Sequence, residues 1–418
     1  MGKFIIENNG ALKGNVRISG SKNAVLPIIA ATLLTDEKCE IADVPALTDV
    51  MIMQELIEDL GGTTSWAEDE VLNIHADKIK KIQVSYELCT KMRASFLVAG
   101  PLLARMGEVK ISLPGGCAIG SRPVDLHLKG LAALGAEISQ EHGYIHARAD
   151  KLTGANIYLD FPSVGATENI MMAAVLAEGQ TIIQNCAVEP EIVDLSNFLT
   201  SMGAIIRGSG TDTIRITGVN SLHGTNHTII PDRIEAGTFM IASAITGGDV
   251  FLENVVIDHL KPAIAKLREA SVEIEEGEAG LRVKSAAIRN PIDIKTLPYP
   301  GFPTDMQAQF LSLLAVTPGT NLVTETVFEN RFMHVPELIR MGADIKIDSR
   351  SAIIEGVEQL TGTQVKASDL RAGASLMLAA LSAEGTTEIH DIYHIDRGYH
   401  NFDQKLRGLG AKITRVDG

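Results

Sequence analysis

The sequence predicts an α/β protein built as two pseudo-symmetric domains, and three observations carry that expectation: a chain of 418 residues, a glycine marker that recurs along it, and a second marker of apolar helices in step with the first. A chain of this length exceeds one ordinary core, so two domains of about 200 residues each are expected. The glycine marker is a helix-like segment ending in Leu or Met, followed by Gly, a small residue and a strand. It occurs at Leu60-Gly61-Gly62, Leu134-Gly135-Ala136, Met202-Gly203-Ala204, Met341-Gly342-Ala343 and Leu409-Gly410-Ala411, and a degenerate copy, Ala270-Ser271-Val272, fills the one gap. Successive copies lie 68 to 74 residues apart. Glycine is the expected residue just past a helix because it accepts the left-handed conformation without a Cβ penalty.

Each unit opens with a helix rich in small and apolar residues, at 24–34, 94–104, 170–177, 236–245, 306–315 and 372–383. Several are apolar nearly all round, as in the IMMAAVLA run from Ile170, which predicts burial on every side. A β-rich stretch containing Ile41, Ile111, Ile183, Leu252, Val323 or Ile389 follows each one. The unit therefore reads as loop, buried helix, strand, loop, second helix, glycine turn and two strands. Units of this size are too long for a solenoid repeat, so three of them per domain are expected to enclose three buried helices.

Composition narrows the function. Against 52 acidic residues stand 37 basic ones, a formal charge of −15, and no dense Lys or Arg run offsets it. Such a surface repels nucleic acid and anionic lipid, so an anionic substrate needs a local cationic pocket. No apolar stretch reaches the ~20 residues that span a bilayer, and the amino terminus lacks a signal-peptide core. A cytoplasmic protein with free thiols is expected, since Cys39, Cys89, Cys117 and Cys186 show no C-x-x-C pair and no metal-ligand spacing.

The loops that feed the buried helices carry Lys22-Asn23, Lys91 with Arg93, Ser163-Val164-Gly165, Asp232-Arg233, Asp305, and Asp369 with Arg371. Polar groups at the amino ends of apolar helices act as caps and form anion sites. A second set of loops holds PGGCAIGSRPVD from Pro114, ETVFENRFMHVP from Glu325 and HDIYHIDRGYH from His390, which puts Arg122, Arg331 and Arg397 in related positions. In the first of these, glycines flank Cys117 and a cation follows it. Read alone, the segment fits a reactive thiol and an incidental surface thiol equally. Gly208 to Gly210 reads as a hairpin turn rather than a dinucleotide fingerprint, and Lys22 does not stand in P-loop order.

Taken together, SGSKNAVLP at Ser19, PGGCAIGSRPVDLHLKGL at Pro114, PDRIEAGTF at Pro231, PTDMQAQF at Pro303, DLRAGASL at Asp369 and HIDRGY at His394 resemble the UDP-N-acetylglucosamine 1-carboxyvinyltransferase family. The resemblance runs in order from Lys3 to the last residues. It implies a two-domain inside-out α/β barrel of the enolpyruvyl transferase type, with three repeated units per domain. The expected boundaries are 22–229 for the domain carrying a mobile cysteine loop, and 1–21 plus 230–418 for the second, with the active site in the cleft between them.

The implied activity is transfer of the enolpyruvyl group of phosphoenolpyruvate to the 3-hydroxyl of UDP-N-acetylglucosamine, the first committed step of peptidoglycan precursor synthesis. The resemblance casts Cys117 as proton donor to C3 of the enol, able also to attack C2, and Asp305 as the base toward the sugar hydroxyl. Lys22, Arg122 and Arg397 would hold phosphate and carboxylate. Asn23, Arg93, the run Arg122, Pro123, Val124, Asp125, Leu126 and His127, the segment Ser163, Val164 and Gly165, and Val327 resemble the nucleotide-sugar contacts. Arg331 joins the cationic loops, and Asp369 and Arg371 support the site and domain closure. No metal or organic cofactor is implied, the partners are the two small substrates, and the oligomeric state is left open. One departure is Phe161-Pro162, where many members carry a basic residue before SVGAT; it bears on one diphosphate or uracil contact. The shikimate-pathway enolpyruvyl transferase shares the implied fold but uses no cysteine lid. RNA 3'-terminal phosphate cyclase needs a catalytic histidine with no evident counterpart here; a catalytically silent nucleotide-sugar sensor stays open on sequence, with the joint retention of Cys117, Asp305, Lys22 and Arg397 arguing against it.

Overall fold

In a computed structural model, residues 2–113, 124–285 and 289–417 are described. The segment with Cys117, Arg122 and Pro123 lies outside them. The chain divides into two compact units, one made of residues 2–19 and 231–417 and the other of residues 20–113 and 124–230. No helix among the described residues is long and apolar enough to cross a membrane.

Each unit contains three small sheets of one design. A central strand follows each buried helix; it pairs antiparallel with the far strand of a hairpin and, on its other side, parallel with a short edge strand. Thr320–Thr324, for example, pairs in parallel with Asp293–Lys295 and antiparallel with Ser351–Glu355, which in turn pairs with Asp344–Asp348. The same order holds for Asn226–Thr228, Lys38–Ala42, Val71–His75 and Thr63–Glu68. In the sheet centred on Glu108–Ser112 the edge strand shrinks to a single parallel bridge between Gln83 and Lys110. In the last sheet the hairpin is completed by the amino terminus. Lys3–Glu7 fills the slot between Thr386–His390 and Lys412–Val416, pairing antiparallel with both. The sixth repeat is therefore closed by residues from the opposite end of the chain.

The buried helices are Lys22–Ala31, Ala99–Met106 and Val164–Ala174 in one unit, and Arg233–Thr246, Gln307–Ala315 and Leu370–Ser382 in the other. Every residue of Gln307–Ala315 is buried, as is every residue from Ala166 to Ala174. Their apolar faces form one core cluster per unit. Two helices of each unit are capped by side chains, three of them by residues of the polar loops named above and the fourth by Ser21, next to Lys22. Ser21, Ser163, Asp232 and Asp369 accept from the first free backbone N–H groups of the helices they precede. The middle helix of each unit begins instead with a tighter 3₁₀ turn, Arg93–Val98 or Thr304–Met306.

At their far ends, two arginines serve the orphan carbonyls. Arg105 Nη1 donates to the carbonyls of Leu33, Thr35 and Ala76 at 2.8–2.9 Å. Arg289 donates to the carbonyls of Ala244 and Val316, both at 3.0 Å. Both cations are thus committed to backbone carbonyls, all but that of Ala76 at helix ends, rather than to a ligand.

The glycine marker has the backbone that was expected of it. Gly61, Gly135, Gly203, Gly342 and Gly410 all have φ between 93° and 110°, and Ser271, in the degenerate copy, takes φ 68°. Ser271 is held there by a hydrogen bond from Asn290 Nδ2 to its Oγ at 2.8 Å. A Cβ at Gly410 would meet nothing within 4 Å, so a substitution there reports backbone strain alone. Gly410→Ala is expected to destabilise the unit by about 1–2 kcal/mol, measured by urea unfolding; an unchanged midpoint would show that the left-handed turn is not required.

Candidate functional site

In the unit of residues 2–19 and 231–417, the 3₁₀ turn Thr304–Met306 presents Asp305 to two guanidinium groups. Its Oδ1 accepts from Arg331 Nη2 at 2.7 Å and its Oδ2 from Arg371 Nη2 at 3.1 Å. Both arginines are almost fully buried while Asp305 keeps a quarter of its side chain exposed. Arg371 lies in the first turn of its helix, where Asp369 caps both its own N–H and that of Ala372. The guanidinium rests over the Tyr399 ring, 5.3 Å from the centroid. Burial opposes the charge on Arg371, but Tyr399, Asp305 and Asp232 outweigh it and hold the cation above its usual range. Beneath Asp305, Gln309 Nε2 donates to the Asp305 carbonyl at 2.9 Å and reaches Thr238 and Tyr399. That network ties the turn to the neighbouring buried helix.

Arg397 follows the short helix Tyr393–Asp396. Near these charges stands His334, fully buried, whose pKa burial pushes down to about 4, with the field of Asp369 opposing and that of Arg331 reinforcing the shift. It is a neutral imidazole at physiological pH.

Sequence reasoning missed Glu325. This buried residue accepts from the hydroxyls of Thr296 and Thr304, both at 2.8 Å, and from the N–H groups of Val327 and Phe328 at 2.7 and 3.1 Å. One carboxyl group thereby fixes both the Val327 loop and the turn that carries Asp305. Its position at the end of a strand offered a turn signal, but its four donors come from three separate segments.

In the unit of residues 20–113 and 124–230, Lys22 opens its helix and its Nζ lies 2.9 Å from Oδ2 of the buried Asp49. Asn23 follows it, half-buried. Arg93 opens the 3₁₀ turn before the middle helix. Val124 is buried at the start of helix Asp125–Ala133, where Asp125 occupies the first turn and Leu126 packs on the core. His127, on the same helix, lies edge-on to Phe96 and against the backbone of Gly165, where an added Cβ would stand 3.2 Å from Cε1. Ser163, Val164 and Gly165 form the capped start of the next helix. The structure thus brings His127, Gly165 and the turn of Arg93 together. Burial, with the nearby Arg93 charge, pushes the His127 pKa down to about 3.

The remaining thiols are poor nucleophiles. Cys39, Cys89 and Cys186 are buried, and burial raises the pKa of each, that of Cys186 to about 11.

Solved structures first define the class. The enolpyruvyl transferase NikO from Streptomyces tendae superposes with a TM-score of 0.90 at 24% identity, covering 100% of this chain and 99% of its own. EPSP synthase from Acinetobacter baumannii gives 0.79 at 20% identity, with both chains covered in full. This is the enolpyruvyl transferase fold. The family model for EPSP synthase (3-phosphoshikimate 1-carboxyvinyltransferase) matches residues 6–406, and the chain belongs to that family. Within it, this chain is 62% identical over 413 residues to UDP-N-acetylglucosamine 1-carboxyvinyltransferase 1 of Caldanaerobacter subterraneus subsp. tengcongensis, covering 99% of both chains. It is 54% identical over 416 residues to the UDP-N-acetylglucosamine 1-carboxyvinyltransferase of Halothermothrix orenii, with full coverage of both.

Replacing Glu325 by Ala strands its donors in a buried site. Glu325→Ala should lower stability by about 2–4 kcal/mol and reduce turnover, read by urea unfolding and initial rates. Wild-type values for both would mean that Glu325 does not organise these loops.

Proposed function

We propose that this protein transfers the enolpyruvyl group of phosphoenolpyruvate to the 3-hydroxyl of UDP-N-acetylglucosamine and releases phosphate, committing the nucleotide sugar to peptidoglycan precursor synthesis. The observation that carries this reading is the relatedness to enzymes of that name over the full length of the chain. Retention of the PGGC-to-RPVD segment around Cys117 favours it over a shikimate-type acceptor.

The reaction adds and then eliminates. A proton adds to C3 of the enol as the sugar oxygen bonds to C2 and gives up its own proton. Phosphate then leaves C2 with the electron pair of the C–O bond, and loss of a proton from C3 restores the double bond. Cys117 is assigned the proton transfer at C3, and its thiolate can also form a covalent adduct at C2. Asp305 takes the proton of the sugar hydroxyl, with Arg331 and Arg371 holding both its oxygens in place. Lys22, Arg122 and Arg397 neutralise phosphate and carboxylate through the tetrahedral intermediate. Asn23, Arg93, Arg122 to His127, Ser163 to Gly165 and Val327 receive the nucleotide sugar. Asp369 acts indirectly, by capping the helix from which Arg371 reaches Asp305.

Incubation with phosphoenolpyruvate and UDP-N-acetylglucosamine is expected to release inorganic phosphate, and Cys117→Ala should largely abolish it. Release that requires shikimate 3-phosphate, or none with either acceptor, would overturn the assignment. An epoxide phosphonate resembling phosphoenolpyruvate should alkylate Cys117 alone, because the other thiols are buried with raised pKa values; peptide mass spectrometry showing adducts only at Cys39, Cys89 or Cys186 would contradict the role of Cys117.

A further inference from the structure

Asn169 lies one turn into helix Val164–Ala174, fully buried, and uses its whole amide. Its Oδ1 accepts from the backbone N–H of Gly100 at 2.6 Å. Its Nδ2 reaches the backbone carbonyl of Phe96 at 2.9 Å and His127 Nδ1 at 3.1 Å. The two backbone groups fix the orientation of the amide. An N–H can only donate and a carbonyl can only accept, so a flipped amide would set N–H against N–H and oxygen against oxygen. The second Nδ2 hydrogen is therefore directed at His127 Nδ1, which must be unprotonated. The proton of the neutral ring is then on Nε2.

Nε2 lies at the start of helix Val164–Ala174, 3.4 Å from where a Cβ of Gly165 would stand. It has no hydrogen-bond partner among the described residues. A ring locked in this tautomer offers a donor there for as long as it stays neutral. Protonating Nδ1 would bury two opposed N–H groups, and burial with the nearby Arg93 charge acts in the same direction.

We infer that Asn169 is a positioning residue for nucleotide-sugar binding: it locks His127 as an Nε2–H donor to an acceptor oxygen of the substrate. The inference rests on the reading that His127 and Ser163 to Gly165 receive UDP-N-acetylglucosamine. It assigns the recognition to a fixed tautomer, as an outer hydrogen bond fixes the ring of a metal-bound histidine.

The lock is tested directly by two-bond ¹H–¹⁵N correlation on histidine-labelled wild-type protein, with His127→Gln assigning the signal. The expected result is a neutral Nε2–H ring throughout about pH 6 to 8; an Nδ1–H tautomer or an imidazolium overturns the inference. In kinetics, Asn169→Ala should raise KM for UDP-N-acetylglucosamine about tenfold, the scale of one lost hydrogen bond, with kcat and KM for phosphoenolpyruvate nearly unchanged. His127→Ala should add little to that loss, and full multiplication of the two effects overturns the coupling. Asn169→Asp must accept from Nδ1–H, so only its imidazolium keeps the Nε2 proton. KM of that variant should rise with pH across the same range while the wild-type value stays flat. The tautomer measurement stands if a variant fails to fold. Absence of phosphate release by the wild type would instead defeat the functional reading, independently of the tautomer.

Discussion

A helix that is apolar on every side has to be covered on every side, and the architecture of each unit follows from that requirement. Five of the six buried helices expose almost nothing and the sixth, Ala99–Met106, opens only in its last turn, so each needs a sheet on one side and sibling helices on the others. Covering them also traps their ends. Backbone N–H groups at the starts must find acceptors and carbonyls at the finishes must find donors. The starts use Ser21, Ser163, Asp232 and Asp369, and two of the finishes use Arg105 and Arg289. Polar chemistry is thereby concentrated where the buried helices begin, which is where Lys22, Arg93, Asp305 and Arg371 also stand.

An acidic chain that handles anions must keep its cations effective, and the two units do this differently. Around Asp305 the charges are paired: Arg331 and Arg371 are nearly buried, and one carboxylate serves both. Desolvated ion pairs of this kind are expensive to leave half-made, so the three side chains act as one object. Around His127 the device is neutrality. The ring gives up its charge to remain buried beside Arg93, and the amide of Asn169 sets which nitrogen keeps the proton.

Much of the fold was legible because its markers obey local rules. Five glycines past helix ends take the left-handed conformation whatever surrounds them, and Ser271 shows that the position holds even where glycine is lost. The caps were legible for the same reason, since a helix start has few ways to satisfy its N–H groups. The amino-terminal strand was legible only in part: the resemblance assigns residues 1–21 to the second domain, but the place of Lys3–Glu7 inside the sixth repeat depends on partners nearly 400 residues away. Glu325 and Asn169 were missed on similar grounds. Their roles rest on the hydroxyls of Thr296 and Thr304 and on the backbone of Phe96 and Gly100, and nothing in the sequence marks a backbone atom as a partner.

By itself the sequence determined the repeat, the burial of its helices and the polar character of the loops that feed them, because each is written in local composition and spacing, whereas the roles proposed for Cys117, Asp305, Lys22 and Arg397 are what the family resemblance implies. Only the tertiary structure decided which charges meet, which carboxyl group holds two loops at once and which nitrogen of His127 bears a proton. Those outcomes depend on distances between segments remote in the chain, and hydrogen bonds and desolvation vary steeply over such distances.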